Sequence, residues 1–443
     1  MNFYEYVSTK QGRIAELARI HPEVSFTSLA YHIDVKWLYE AYRRTRKDGA
    51  VGMDRQRAEE YAQELGSNLR SLLDRAKDGS YRAPPVRRVH IPKGSSRTEK
   101  RPIGIPTFEE KVLQRAVVMV LEPLYEQEFL DCSYGFRPGR SAHDALKALW
   151  KHLMDVGGGW LIDLDVRKFF DEMSHTHLRE ILNRRVRDGV LTRLIGKWLK
   201  AGVWERGSIS YPEKGSPQGG VISPILSNVY LHEVLDKWFC EQVRPGLKGR
   251  AYLVRFADDA MMIFSDRRDA CRVMEVLPKR FGRFGLAVHP EKTRLVQFTR
   301  PKGPEDNQGS RGPRETFNFL GFTHYWGLSR KGNWVVKKKT ERGRFGRALR
   351  AVATWCKYNR HEPVREQQRA LRLKLQGHFN YYGVTGNSYS IHKFAFEVQK
   401  VWRKWLDRRG KRNSMPWKKF KLLLRNYPLP APRIMHSVYA AKL

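Results

Sequence analysis

Apolar positions along this chain recur with two periods, and the changes of period mark out its elements. Residues 1 to about 80 read as helical and polar, with Ala41 to Asp54 (AYRRTRKDGAVGMD) forming a helix end that runs into a glycine-punctuated turn. Residues 81 to 106 change character, because Pro and Gly surround short β-prone pieces, which predicts strands joined by a basic loop. Helical spacing returns over Glu109 to Phe129, where Val112, Ala116, Val120 and Leu124 follow one another four residues apart. Gly159 to Val166 (GWLIDLDV) reads as a strand. Ala251 to Phe264 (AYLVRFADDAMMIF) reads as a hairpin of two apolar arms, with Ala257, Asp258 and Asp259 at its bend. The sequence between these two segments is expected to be mostly helical, broken at GSPQGGVISP. Arg300 to Arg314 has the composition of a loop, and the chain from about 340 onward is helical.

Length and charge sharpen this picture. With 443 residues, 41% of them apolar, the chain can bury a sizeable core. Its 83 Lys and Arg against 46 Asp and Glu leave a formal charge of +37, which calls for a polyanionic partner. A membrane surface is a poor candidate, since the longest apolar run, Ala116 to Leu121, is far too short to span a bilayer and the N-terminus carries no signal-peptide pattern. Residues 330–426 alone hold 27 Lys and Arg against 5 Asp and Glu. Trp355, Tyr358, Phe379, Tyr381, Tyr382, Trp402, Trp405 and Trp417 are interleaved with those charges, a composition suited to nucleic acid, although several must serve the core. The four cysteines lie far apart, so neither a zinc knuckle nor a disulfide framework is expected.

The adjacent carboxylates Asp258 and Asp259 carry the clearest chemistry. Charge on an apolar hairpin is costly unless a cation neutralises it. Phosphoryl transfer requires carboxylates of this kind, which hold metal ions against phosphates and an attacking hydroxyl. Asp165, at the end of GWLIDLD, is a third candidate. A pair of aspartates at a turn is weak support on its own, because turns use Asp freely.

The surrounding blocks add specificity. RRVHIPKG and RPIGIPT, SYGFRPGRSAHDAL (133–146), DVRKFFD (165–171), GSPQGGVISPILSNVYL (215–231), RFADD (255–259), GLAVHPEKT (285–293) and FNFLGF (317–322) follow in the order of a group II intron reverse transcriptase, which the chain resembles over roughly residues 35 to 440. LQGHFNYYGVTGN (375–387), WLDRRGKR (405–412) and YPLPAPRI (427–434) are similar to that family's thumb and maturase region. The resemblance implies an α+β right-hand polymerase with fingers, a palm built on an antiparallel sheet, and an α-helical thumb. Residues 1–80 would form an N-terminal extension and the start of the fingers, 81–330 the fingers and palm, and 331–443 the basic thumb and maturase domain.

Carried over residue by residue, the resemblance gives Asp165 and Asp258 both catalytic metals (two Mg²⁺, with Mn²⁺ able to substitute). Asp259 assists and the Val166 carbonyl completes a shell, while Asp163 is left structural. Phe170 becomes a steric gate against a ribose 2′-OH, with Phe169 next in line. Lys93 and Arg101 grip the incoming triphosphate, although GSSRTEK is about two residues longer than the family pattern and Arg97 or Lys100 could take the place of Lys93. Gln218 packs on the templating pair, with Gly219 and Gly220 allowing close backbone approach. Lys292 is a general acid toward the pyrophosphate or a surface lysine. Lys418, Lys419 and Lys421 belong to an RNA-binding surface. Phe256 stands where the family most often has Tyr, which removes a hydroxyl contact. The chain stops at Leu443 without the endonuclease region of many relatives, so it is expected not to cut a target strand.

The implied activity is RNA-directed DNA synthesis together with assistance to intron splicing. A polymerase domesticated for defence or repair, or a mainly RNA-binding splicing cofactor, are the alternatives. Expected partners are the intron RNA, an RNA template with a DNA primer, dNTPs and, as a homodimer, a second copy of the chain. The expected location is the bacterial cytoplasm, at the nucleoid.

Overall fold

The computed structural model describes residues 3–92, 100–215, 219–301, 315–409 and 415–437. The chain divides into two compact units, Met1–Ala145 with Trp160–Leu295, and Leu146–Gly159 with Val296–Leu443. It is a mixed structure of helices and sheets with a helical C-terminal region.

The polar N-terminal stretch forms α1 (Phe3–Ile20), α2 (Val35–Arg44), α3 (Ala58–Gln63) and α4 (Leu65–Asp78), each turning a few apolar residues inward. In α2 the Asp34 carboxylate caps the helix by accepting from Trp37 N at 2.8 Å. The Pro/Gly-rich stretch gives β1 (Val86–Pro92) and β2 (Lys100–Ile105), paired antiparallel with Arg87 opposite Ile105. α5 (Phe108–Tyr125) starts at Thr107, whose Oγ1 accepts from Glu110 N, and the Val112, Ala116, Val120 and Leu124 stripe is fully buried. α6 (Ala142–Val156) precedes β3 (Trp160–Leu164), β4 (Val166–Arg167), α7 (Phe169–Glu172), α8 (His175–Asn183) and α9 (Gly189–Leu199).

A short hairpin then departs from the helical expectation. β5 (Val203–Glu205) and β6 (Ser208–Ser210) turn through Arg206 and Gly207, both at positive φ. Three-residue arms carry little periodicity of their own. They are held because β5 also pairs in parallel with β1, which gives a sheet in the order β2-β1-β5-β6.

α10 (Ser223–Leu231) continues into a π-helical stretch, His232–Val243. β7 (Ala251–Phe256) and β8 (Asp259–Phe264) follow as the expected hairpin, then α11 (Arg267–Gly282), β9 (Ala287–Val288) and β10 (Arg294–Gln297). The central sheet runs β10-β3-β8-β7, with β8 antiparallel to both β3 and β7. Buried Ile162, Leu164, Met262 and Phe264 join Leu226, Tyr230 and Phe281 in one core.

The second unit carries the antiparallel sheet of β11 (Phe317–Phe319), β12 (Phe322–Leu328) and β13 (Trp334–Thr340). Four helices follow, α12 (Arg342–Tyr358), α13 (Val364–Tyr382), α14 (Ser388–Asp407) and α15 (Trp417–Asn426), around a core that includes Leu371, Phe379, Trp402 and Phe420. Among the described residues no helix is long and apolar enough to cross a membrane.

Candidate active site

The β7–β8 turn has two residues, because Phe256 pairs with Asp259 and only Ala257 and Asp258 lie between them. Ala257 sits at φ +56°, a left-handed conformation that costs a non-glycine residue on the order of 1 kcal/mol. Surrounding contacts hold it there. The fully buried Arg255 guanidinium donates to the Ala257 carbonyl at 3.0 Å, and also to Asn228 Oδ1 (3.0 Å), Ser133 Oγ (2.7 Å) and both oxygens of Asp236 (2.8 and 2.6 Å). Burial pushes the Asp236 carboxyl up, but the charge and hydrogen bonds of Arg255 outweigh that and leave it below its ordinary range. Asn228 Nδ2 donates in turn to Gly135 O at 2.7 Å, which binds the SYGFRPGR loop to the turn. A Cβ on Gly135 would lie 2.2 Å from Ala257 N, so only glycine permits this approach.

Arg255 is not among the candidate site residues of the sequence, although the sequence carries a signal for it. A cation at an inward position of an otherwise apolar strand needs a buried acid, and Asp236 stands in the apolar run VLDKWF.

Asp165 is held from the other side. Its backbone N donates to Thr293 Oγ1 at 3.1 Å, its carbonyl accepts from His289 N at 2.8 Å, and Val166 pairs with Val288. The block GLAVHPEKT thus clamps the block DVRKFFD. Leu164 pairs with Ala260 at the end of the β3–β8 ladder, and Asp165 and Asp259 each flank that last pair in the chain. Burial raises the Asp258 carboxyl above its ordinary range. Asp165 adds to the effect, while Arg101 and Arg255 oppose it. The fold therefore brings Asp165 and Arg101 each within electrostatic reach of Asp258. Lys292 Nζ lies 3.8 Å from Asp165 Oδ2 and is half exposed, which makes it a neighbour of the site. Asp163 pairs with Arg294 at 3.3 Å and is turned to a separate ion pair.

Phe169 and Phe170 part ways. Phe169 is buried against Tyr230, whereas Phe170 is half-buried and lines a cavity of about 180 Å³ with Arg88, Pro102, Gly104 and Lys214. The glycine loop approaches the same strand, since a Cβ on Gly219 (φ +119°) would meet Gly104 O at 2.7 Å. Phe256 is half-buried with its ring 6.5 Å from that of Phe136. Lys93, Arg97 and Gln218 lie outside the described residues.

In the second unit, Lys418, Lys419 and Lys421 are exposed on α15 while Phe420 between them is buried. Of the interleaved aromatics, Phe379 and Trp402 belong to the core, while Tyr358 and Trp417 are exposed. Arg403 lies 4.8 Å from the Trp417 ring. All four cysteines are free. Cys132 and Cys240, distant in sequence, place their sulfurs 4.0 Å apart, and only Cys356 is fully buried.

Among the described residues no three His, Cys, Asp or Glu side chains form a ready-made metal cage. The donors still suit a hard divalent cation, because Mg²⁺ binds through one or two carboxylates completed by water and substrate phosphates. A desolvated Asp258 beside a second carboxylate is an arrangement that a cation would relieve.

Comparison with known proteins finds a matching family and relatives. The chain is 42% identical over 170 residues to the group II intron-encoded protein LtrA of Lactococcus lactis subsp. cremoris, covering 38% of this chain and 28% of that protein. It is 36% identical over 247 residues to the protein YkfC of Escherichia coli strain K12, covering 54% of this chain and 64% of that one. A more distant relative is nuclear intron maturase 2, mitochondrial, of Arabidopsis thaliana, 28% identical over 177 residues, covering 31% of this chain and 24% of that protein. The chain thus spans between about a quarter and two thirds of these relatives' lengths. Residues 91–324, from β1 through Asp165 and the Asp258 hairpin into β12, match the reverse transcriptase (RNA-dependent DNA polymerase) family, and the chain belongs to it.

Proposed function

We propose that this protein is the RNA-directed DNA polymerase of a group II intron, copying intron RNA into cDNA and assisting splicing as a maturase. The observation that carries the reading is the desolvated Asp258, set near Asp165 at a turn that Arg255 holds rigid. Fingers and palm would occupy residues 81–330 and the thumb 331–443. Primer extension on an RNA template is the direct test, and a folded protein that extends no primer refutes it.

In this reading Asp165 and Asp258 would hold two Mg²⁺, and Asp259 and the Val166 carbonyl would assist them. When bound, these ions supply the charge that balances the triphosphate and favours the ionised primer hydroxyl. The remaining tasks fall to the chain itself. Arg101 faces the same acidic centre and can grip a phosphate with two parallel hydrogen bonds; Lys93 would assist it. Lys292 can hold the proton that the leaving pyrophosphate takes up. Gln218 would pack on the templating pair, with Gly219 permitting its loop to lie close to β2.

Phe170 lines the cavity beside β2, where a ring would exclude a 2′-hydroxyl by its bulk. Phe170→Val should therefore relax discrimination against ribonucleotides by about 10- to 100-fold. The measurement is incorporation of a ribonucleotide against the matching deoxynucleotide on one primed RNA template. Unchanged discrimination removes the gate from Phe170.

The splicing role rests on the second unit, where exposed lysines on α15 adjoin the Trp417 and Arg403 pair. A surface with six to ten phosphate contacts should lose about 10³- to 10⁵-fold in RNA affinity between roughly 50 and 200 mM salt. Replacing Lys418, Lys419 and Lys421 by Gln should lower the slope of log affinity against log salt by about 2 to 3. A slope equal to that of the parent would place RNA elsewhere.

A further inference from the structure

Away from the aspartates, α8, α9 and the segment Tyr81–Pro85 flank an open cavity of about 690 Å³. Ligand sites typically fall in the range of roughly 300–1,000 Å³. The β5–β6 hairpin separates this cavity from the one beside Phe170. Gly202 and Tyr211 line the first, and their chain neighbours Val203 and Pro212 line the second.

Charge is what makes the cavity unusual. Arg82, Arg179, Arg193, Lys197 and Lys200 line it, and among the described residues no carboxylate does. Two of these cations are held in place by backbone oxygens. Lys197 Nζ donates to Gly79 O (2.6 Å) and Tyr81 O (2.5 Å), and Arg193 donates to Lys77 O at 3.1 Å. Asp78 feels the charge of Arg193 and Lys197, but its carboxylate accepts from Ser80 N and Oγ, each at 2.7 Å. Arg82, Arg179, Arg193 and Lys200 are exposed to solvent and Asp78 partly offsets Arg193 and Lys197, and the net positive charge that remains draws an anion toward the concavity.

The other lining groups narrow the choice of anion. Tyr211 stands at the rim with 72% of its surface exposed, a flat face on which a base can stack. Asn183 is a neutral polar group able to donate to or accept from a base edge or a 2′-hydroxyl, and Thr192, whose hydroxyl already donates to Asp188 O at 2.8 Å, can accept from one. A duplex keeps its bases stacked inside and its phosphates on a convex exterior, so it cannot fill such a cavity. A nucleotide splayed from a single strand can.

We propose that this cavity binds one splayed nucleotide of a single-stranded RNA segment. Arg179, Arg193 and Lys200 grip its flanking phosphates and Tyr211 stacks on its base. The proposal rests on the reading of the protein as an RNA-copying enzyme and adds a site one hairpin away from the incoming nucleotide.

The test uses the full chain and a labelled, unstructured 12-nucleotide RNA, with the same sequence as a duplex for comparison. The variants are Arg179→Gln with Lys200→Gln, and separately Tyr211→Ala, each checked for an unchanged melting temperature. The double variant should bind the single strand about tenfold more weakly, with a salt slope lower by roughly 1.4, about 0.7 per phosphate. Tyr211→Ala should weaken binding about tenfold at unchanged slope, and duplex affinity should stay within twofold for both. Primer extension at saturating template should persist.

Equal weakening of single strand and duplex would reveal a diffuse basic face and overturn the proposal, as would unchanged single-strand affinity. So would inorganic phosphate displacing the oligonucleotide at millimolar concentration, which would mark a free-phosphate site. If the parent extends no primer yet the variants lose the single strand selectively, the cavity stands and the polymerase reading falls.

Discussion

Replacing Asp258 and Asp259 together by Asn should reduce cDNA synthesis by about three orders of magnitude or more, while RNA affinity and splicing assistance stay within a few-fold of the parent. Asn keeps the size and much of the hydrogen-bonding capacity of Asp but lacks the charge that offsets a divalent cation. Removing preorganised transition-state electrostatics of this kind costs orders of magnitude in rate. In the proposed reading RNA binding draws on other residues, among them Lys418, Lys419 and Lys421, which are exposed.

A second readout comes from stability. The Asp258 carboxyl is raised in the folded protein, chiefly by burial, so the native state holds that proton more tightly than the unfolded chain does. Stability from this group is present at low pH and is lost as pH rises through the folded value. In metal-free buffer at neutral pH the Asn variant should therefore melt at or above the parent, and the gain should shrink as pH falls toward the ordinary aspartate value of 3.8. Primer extension, splicing of the cognate intron and melting should be measured on one preparation. Retained polymerisation would sink the assignment of the metal site. Lost splicing in a folded protein would mean that the polymerase cleft itself holds the intron.

The largest effect on stability should come from the ion pair behind the turn. Asp236→Leu leaves the Arg255 guanidinium fully buried without its acid, and breaking a pair of this kind costs about 3–5 kcal/mol. The double variant Asp236→Leu with Arg255→Met should regain most of that loss, because apolar side chains can replace a buried ion pair nearly without cost. Primer extension should not recover with it, since the Ala257 carbonyl, Asn228 and Ser133 would still lack the donor that fixes the turn. Denaturant unfolding and primer extension on the four proteins of the cycle separate the two effects. A single variant that loses less than about 1 kcal/mol would contradict burial of the pair. Full activity in the stable double variant would show that Arg255 does not position Asp258.

Much of the local architecture was legible in the sequence. The α5 stripe, the strand ending at Leu164 and the hairpin around Ala257 follow from apolar periodicity and short-range turn chemistry, which are carried by residues a few positions apart. The small hairpin at Val203–Ser210 was not legible, because its arms persist only through pairing with β1 more than a hundred residues earlier.

The site divides along the same line. That Asp165, Asp258 and Asp259 are the candidates for the chemistry is written in their neighbours, since the ordered blocks surround each carboxylate in the chain. That Arg255 pins the turn, that Thr293 holds Asp165, and that Phe170 and not Phe169 faces a cavity were decided only in three dimensions. Arg255 meets its partners 19 and 122 residues away, and Asp165 meets its own 128 away. Sequence reports which side chains could bear charge. Whether a charge is desolvated, and which opposite charge meets it there, depends on which distant segments the core draws together, because burial makes the electrostatics strong.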